Sequence, residues 1–180
     1  MGPIRLEITL NELTPARRRL TDAALHLRPL MEIAGGIFEN STRARFAGEY
    51  GPGRIPWPPT WKQRVGAVSG KTYGPVKSGK SLQESGSLLA SIRSNVGDNF
   101  VETGPDGRSK TSRLSIVHQR GWTIKPKRAP FLLFTGPDGR FHAAKSVTIP
   151  ARPHMGIDME DQADLQDAFA DYLGSAWDGR

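Results

Sequence analysis

The stretch SVTIPARPHMG at residues 146–156, with the acidic segment 157–173 behind it, decides how this chain completes its fold. Val147 and Ile149 alternate with polar residues, which is typical of a short strand. Pro150 and Pro153 then fix φ at about −65° and remove two backbone donors, so the strand must stop there. The sequence therefore predicts a stiff corner that holds Arg152 and sets the angle at which a final helix begins.

Upstream of this corner the apolar spacing predicts one strand and two helices. Alternating apolar residues predict a strand over residues 4–10, and Thr14-Pro15 supplies an N-cap and a first-turn proline. Apolar residues then recur at intervals of four and three, interrupted by Pro29. We expect helices over about residues 15–27 and 29–47.

Residues 48–81 are rich in proline, glycine and lysine and predict an extended loop or arm. Trp57 and Trp61 within it indicate that the loop docks, either on another molecule or on the chain itself, because large aromatic rings are unfavourable in a solvated linker.

The second half predicts a short helix, several strands and a final helix. The helix covers residues 82–92, and strands are expected at 93–96, 99–103, 113–118, 130–135 and 140–149. The hexapeptide TGPDGR occurs at 103–108 and again at 135–140, and its central Pro-Asp predicts a hairpin turn at both places. The predicted fold class is α+β: N-terminal helices, a long Pro/Gly-rich loop, an antiparallel sheet and a C-terminal acidic helix. The length of 180 residues suits a single domain, 1–180, with 48–81 as its arm.

Charge is unevenly distributed along the chain. Residues 157–180 carry seven carboxylates and one base, whereas residues 1–156 carry 24 bases and 11 acids. A basic body with an acidic helix can bind nucleic acid or stack head to tail on copies of itself, and scattered solvated charge is the alternative. The chain has no cysteine, which excludes disulfides and thiolate metal sites. The sequence has no signal-peptide pattern and no run of about 18 apolar residues, so no membrane segment is expected.

One segment, Gly74–Ser81, matches the pattern of a phosphate-binding loop, G-x-x-x-x-G-K-[ST]. In that interpretation Lys80 contacts phosphate oxygens and Ser81 ligates Mg²⁺. The residues before it are polar and glycine-broken rather than a buried strand, and the expected sheet is antiparallel, so nucleotide binding is kept as an alternative only.

The other candidates for chemistry are histidines and bases. His118, His142 and His154 fall in the strand-rich half without zinc-ligand spacing, and a His118/His142 acid–base pair lacks a positioned carboxylate and nucleophile. No cofactor or metal is expected. The bases between the loop aromatics and the run Arg17–Arg19 permit non-specific contact with nucleic acid, which is a further alternative function.

Four segments in order resemble the phage virion morphogenesis family, which includes tail-completion proteins of P2-like and Mu-like phages. They are ENSTRARF at 39–46 followed by WPP at 57–59, LQESGSLLASI at 82–92, IVHQRG at 116–121, and IPARP at 149–153 followed by Met155-Gly156 and the acidic helix. Arg120 and His154 depart from the family's commoner aromatic residues.

The resemblance implies a non-enzymatic assembly factor at the head–tail junction, acting as a ring of subunits. Expected partners are copies of itself, tail-tube proteins and head-connector proteins, with contact to DNA left open and no membrane. The expected location is the tail or neck of the virion, reached from the host cytoplasm. Trp and Arg are frequent interface anchors, and Trp57→Ala and Arg152→Ala are expected to impair assembly more than monomer stability. The expected interface residues are Trp57, Trp61, Ser85, Gly86, Leu88, His118, Gln119, Gly121, Pro150, Arg152 and Pro153.

Overall fold

The computed structural model describes residues 10–61, 63, 80–106, 110–136 and 139–179. The helices are α1 (Leu10–Leu25), α2 (Arg28–Gly48), a 3₁₀ turn (Pro52–Arg54), α3 (Ser87–Ala90), α4 (Lys110–Arg120) and α5 (Met159–Asp178). The strands are β1 (Ile92–Val96), β2 (Val101–Pro105), β3 (Trp122–Ile124), β4 (Leu132–Thr135), β5 (Phe141–Ala144) and β6 (Val147–Ile149). The α+β class is confirmed, and the single domain stays a prediction.

The two N-terminal helices are confirmed, with a break at residues 26–27. Pro29 lies in the first turn of α2, where a proline costs no helical hydrogen bond. The predicted start at Thr14-Pro15 is wrong, because α1 already begins at Leu10 and includes Pro15. The strand expected over residues 4–10 lies outside the described residues except for Leu10, which is helical.

Helix α5 packs antiparallel against α1 and also against α2. The Tyr172 hydroxyl donates to the carbonyls of Ala23 (3.2 Å) and His26 (2.6 Å) at the end of α1. Arg19 donates to the carbonyls of Ala176 (3.0 Å) and Trp177 (2.6 Å), which lack helical partners at the end of α5. Each helix thus donates side-chain hydrogen bonds to backbone carbonyls at the C-terminal end of the other.

Antiparallel pairing is confirmed, but the described strands form three separate two-stranded ribbons: β1–β2, β3–β6 and β4–β5. The single strand predicted at 140–149 is wrong, because it divides into β5 and β6, which pair with different strands. Their registers pair Ile92 with Pro105, Trp122 with Ile149 and Leu132 with Ala144. The β1–β2 ribbon packs on α2, where Ser94 Oγ donates to the Gly35 carbonyl at 3.0 Å.

The strand predicted at 113–118 is wrong, because these residues belong to helix α4. Leu114 and Ile116, whose alternation suggested a strand, are exposed, whereas the polar Ser115 between them is buried. The alternation of Leu114 and Ile116 with polar residues therefore does not mark a strand with one buried face.

The predicted helix over 82–92 shortens to the single turn α3. Leu82 and Gly86 both have positive φ (62° and 71°), which ends any helix at those positions, and Ile92 already begins β1.

The described residues of the repeated hexapeptide, 103–106 in one copy and 135–136 with 139–140 in the other, lie in different structures. At 135–140 it closes the β4–β5 hairpin, where the Gly136 N–H donates to the Arg140 carbonyl at 2.8 Å. At 103–108 the predicted hairpin is wrong: Thr103–Pro105 ends β2, and the chain proceeds to α4.

A small aromatic core joins the long loop to the helices. Phe46 of α2 and Trp57 of the loop meet edge to face at 5.6 Å between ring centroids, and Leu88 of α3 is buried beside them. None of the helices in the described ranges is both long enough and apolar enough to cross a bilayer.

Candidate functional site

The corner after β6, residues 150–153, is hydrogen-bonded to two distant parts of the chain. The Arg152 N–H donates to the His118 carbonyl at 2.6 Å, and Arg152 Nε donates to the Pro58 carbonyl at 2.9 Å. The Pro153 carbonyl accepts from Trp57 Nε1 at 2.7 Å. Pro150 is half-buried at the end of β6, where the predicted strand stop is confirmed. The corner therefore clamps the loop after α2 against the end of α4.

Gln119 fixes the chain that leaves this corner. Its side-chain oxygen accepts from the N–H groups of His154 and Met155, both at 3.0 Å, and its Nε2 donates to the Met155 carbonyl at 2.7 Å. One amide side chain thus supplies the hydrogen bonds that a neighbouring strand would otherwise supply.

Gly121 allows α4 to turn directly into β3. Its φ is +73°, and a Cβ at this position would lie 2.9 Å from the backbone nitrogen of Ala151 and 3.0 Å from the Ile149 carbonyl oxygen. Both the left-handed conformation and the close approach require glycine.

A buried Ser–His pair lies under the corner. Ser115 Oγ is 2.8 Å from His154 Nε2, and His154 Nδ1 faces the Arg152 carbonyl at 3.3 Å. His154 is fully buried and Ser115 nearly so. Within the described ranges no carboxylate is hydrogen-bonded to the imidazole, and the Ser115 hydroxyl is buried, so this pair lacks the geometry of a nucleophilic site.

Both histidines near the corner favour the neutral form. Burial lowers the pKa of His118, and the nearby Arg152 charge lowers it further. Burial also lowers the pKa of His154, and this effect outweighs the opposing hydrogen bond that His154 Nδ1 makes to the Arg152 carbonyl. His118 Nδ1 is buried without a hydrogen-bond partner among the described residues.

Sequence reasoning missed the ion-pair centre below the corner. Arg45 of α2 is 1% exposed, and its Nη2 donates to Asp161 at 2.5 Å and to Asp158 at 3.1 Å. Its Nη1 donates to the Gly156 carbonyl at 2.6 Å. The position of Arg45 in the helix could have revealed this ion pair. Arg45 lies between the buried Thr42 and Phe46 on the inward face of α2, where a charge needs a partner of opposite sign.

The carboxylates of this centre also start the last helix. Asp158 Oδ1 accepts from the N–H groups of Glu160 and Asp161. In turn Asp161 Oδ2 accepts from the Asp158 N–H, and the two residues form a capping box. Burial alone raises the pKa of Asp158, but hydrogen bonds from Asp161, Gly53 and Arg45 hold it below its ordinary value. The predicted acidic helix start is confirmed.

The two loop tryptophans dock on the chain itself. Trp57 is 7% exposed in the core, whereas Trp61 lies against the β4–β5 hairpin, with its ring centroid 5.0 Å from His142 and 6.0 Å from Phe134. Arg152 is also buried. These contacts argue against the expectation that Trp57 and Arg152 matter less for monomer stability than for assembly.

The segment around α3 divides between core and surface. Leu88 is buried in the core, Gly86 adopts the left-handed conformation with open space beside it, and Ser85 is exposed and hydrogen-bonded to Ser87. Of the predicted interface residues, Trp57, Leu88 and Arg152 are therefore inside this chain. The assignment of the whole set to an assembly interface stays a prediction.

The segment that resembles a phosphate-binding loop lies outside the described residues except for its last two. Lys80 Nζ donates to the Ala47 carbonyl at 2.8 Å, and the buried Ser81 donates from its backbone nitrogen to Glu49 Oε1 at 2.5 Å. Burial raises the pKa of Glu49, but hydrogen bonds from Ser81 and Gln63 outweigh it and lower the pKa overall. In this arrangement Lys80 and Ser81 bind the end of α2.

No described group of three His, Asp or Glu side chains has an arrangement that holds a metal ion. His142 stacks with Phe134 and contacts Trp61, so it does not join His118 and His154. His142 therefore packs against aromatic rings, apart from the two histidines at the corner.

Comparison with known proteins supports the interpretation of the four segments. The chain is 29% identical over 171 residues to the Mu-like prophage FluMu G protein 2 of Haemophilus influenzae, an alignment that covers 93% of this chain and 96% of that protein. No solved structure matches. The model of the phage virion morphogenesis family matches residues 8–174. This chain belongs to the phage virion morphogenesis family and has a role in phage assembly.

Proposed function

We propose that this protein completes the phage tail and prepares it for joining to the head, acting without catalysis as a ring of identical subunits. Its partners are then tail-tube and head-connector proteins, and its place is the tail or neck of the particle. The proposal extends the family assignment to one step of assembly.

The main support for the proposal is that polar residues of the family segments bind other parts of the same chain. Arg45, Gln119, Arg152, His154 and Asp158 are engaged in hydrogen bonds or ion pairs that join α2, the loop, α4 and α5. A catalytic site would aim such groups into a cavity, whereas here they fix the relative positions of elements. This arrangement suits a rigid building block.

The distribution of charge over the chain favours a ring. The acidic helix α5 and the basic remainder of the chain are different surfaces. Contacts between unlike surfaces of identical subunits are heterologous, and heterologous contacts close into rings when the rotation between subunits permits it.

The two alternatives have weaker support. Nucleotide binding needs Lys80 and Ser81 to be available for phosphate and Mg²⁺, and both bind the α2 end instead. Non-specific binding to DNA is compatible with exposed Arg17 and Arg18 on α1, and it would fit a ring around a DNA passage as well as an independent function.

A phage that carries a nonsense mutation in this gene tests the proposal. We expect filled heads and separate, unjoined tails by electron microscopy, and joined particles when the intact chain is supplied from a plasmid. A Lys80→Ala chain should also restore joining, because the proposed role needs no nucleotide. Joined, infectious particles in the absence of the chain would refute the proposal.

A further inference from the structure

The β4–β5 hairpin has one covered face and one exposed apolar face. Phe134 and His142 pair across the ribbon and pack against Trp61. Because side chains alternate along a strand, Leu133 and Phe141 lie on the opposite face. Leu133 is 75% exposed and Phe141 is 85% exposed, and Phe131, just before β4, is also exposed. Three large apolar side chains in one place exceed the scattered exposure that is normal for a monomer.

The surroundings of this hairpin are basic. Residues 120–145 contain six bases and one carboxylate. Lys125, Lys127, Arg128 and Lys145 are all exposed. The exposed apolar hairpin face is thus flanked along the chain by these exposed bases, here called the basic rim. An apolar centre with a polar rim is the usual anatomy of a protein–protein contact.

Helix α5 offers a surface of the opposite sign. It contains six carboxylates and no base. Asp164, Asp167 and Asp171 are exposed at spacings of three and four, which places them along one side of the helix. Beside them the small residues Ala163 and Ala170 are exposed on the side of α5 that faces away from α1 and α2.

We propose that the exposed face of the β4–β5 hairpin of one subunit docks on the outward acidic side of α5 of the next subunit. Phe131, Leu133 and Phe141 would pack over Ala163 and Ala170, where small side chains permit close approach. The basic rim would face Asp164, Asp167 and Asp171. This inference rests on the proposed ring, for which it specifies the contact.

A second copy is the occupant that charge complementarity favours. A nucleic acid would satisfy the basic rim but would leave Leu133 and Phe141 in contact with water or with a charged backbone. Within one chain Trp61 covers the face of the hairpin that carries Phe134. The opposite hairpin face and the outer side of α5 are both exposed among the described residues. The two surfaces are unlike, as a head-to-tail ring contact requires.

Cross-linking of single-cysteine variants tests this contact, because the natural chain has no cysteine. Leu133 and Ala170 are exposed positions on the two surfaces, and Ile116 on α4, which is also exposed, provides the control Ile116→Cys. A short bis-maleimide should join Leu133→Cys to Ala170→Cys in a mixture of the two variants, and should not join Ile116→Cys to Ala170→Cys. The reaction is carried out on concentrated purified protein and in lysates of infected cells.

Charge reversal gives a second, independent measurement. Asp167→Lys with Asp171→Lys should lower the yield of the Leu133–Ala170 cross-link by about tenfold, the effect of losing about 1.4 kcal/mol of association energy. Arg128→Glu with Lys145→Glu should lower it similarly. A mixture of the two charge-reversed chains should restore the cross-link, and unchanged melting curves show that both variants are folded.

The outcomes separate this contact from the proposed function. If the gene is required for joined particles but the cross-link is absent from both purified protein and lysates, the contact is refuted and the function stands. Exclusive attachment of Leu133→Cys to a tail-tube protein also refutes it. If particles join without the gene, the proposed function fails, while the cross-link still decides whether the chain associates with itself in this way.

Discussion

Arg45 Nη2 lies 2.5 Å from Asp161 Oδ2, and the side chains of both residues are at least 97% buried. The pair connects the end of α2 to the first turn of α5 across 116 positions of sequence. Asp158, which caps α5, contacts the same guanidinium nitrogen at 3.1 Å. The final helix is therefore held at its N-terminus by charge and at its C-terminus by Arg19.

Removing one partner of the buried pair should be strongly destabilising. Arg45→Ala leaves the Asp161 carboxyl group buried without its cationic partner, and we expect a loss of about 3–5 kcal/mol in the free energy of unfolding. Urea denaturation followed by tryptophan fluorescence measures it. Arg43→Ala is the matched control: its pair with Glu39 is partly exposed, so the loss should stay below about 1 kcal/mol. Equal effects at the two positions would contradict the role given to Arg45.

Acid should destabilise the fold through the corner histidines. The pKa values of His118 and His154 are lowered in the folded state, so below about pH 6.5 the unfolded chain binds protons that the folded chain does not. The free energy of unfolding should therefore be constant above pH 6.5 and fall as the pH drops below it, by up to about 1.4 kcal/mol for each unit of pKa difference.

Melting temperatures between pH 5 and pH 8 check this dependence. His118→Gln should reduce the slope between pH 5 and 6.5, because Gln does not titrate and only the contribution of His154 remains. A His118→Gln protein with the full pH dependence would show that His118 does not contribute.

The two loop tryptophans should differ in their contribution to stability. Trp57→Ala removes a buried ring and its hydrogen bond to the Pro153 carbonyl, and a loss of about 3–5 kcal/mol is expected. Trp61 is 37% exposed, so Trp61→Ala should cost less. Chemical denaturation of both variants measures the difference. A larger loss for Trp61→Ala would contradict the assignment of Trp57 to the core.

Two left-handed glycines provide a matched pair. Gly86 has φ +71° with nothing near the position of a Cβ, so Gly86→Ala should cost only the conformational strain, about 1–2 kcal/mol. Gly121 has φ +73° and close backbone atoms, so Gly121→Ala should cost clearly more. Differential scanning calorimetry compares them. Equal shifts in melting temperature would indicate that the α4–β3 turn can move away from the added methyl group.

Local sequence patterns identified the elements whose ends are marked by backbone chemistry. Pro29 marked the second helix and Pro150 the end of β6. The order of the four family segments also identified the family. Alternation alone was less reliable: it predicted a strand where α4 forms, because Leu114 and Ile116 are exposed helical residues.

By itself, the sequence determined the α+β class, the family and the stiff corner at 150–153, since proline and capping residues act on their immediate neighbours. Only the tertiary structure decided that Arg45 pairs with Asp161, that Trp57 is a core residue, and that one TGPDGR copy makes a hairpin while the other does not. These outcomes depend on burial by segments distant along the chain. Burial determines whether a charge needs a partner, whether a ring is covered and whether a turn has a second strand beside it.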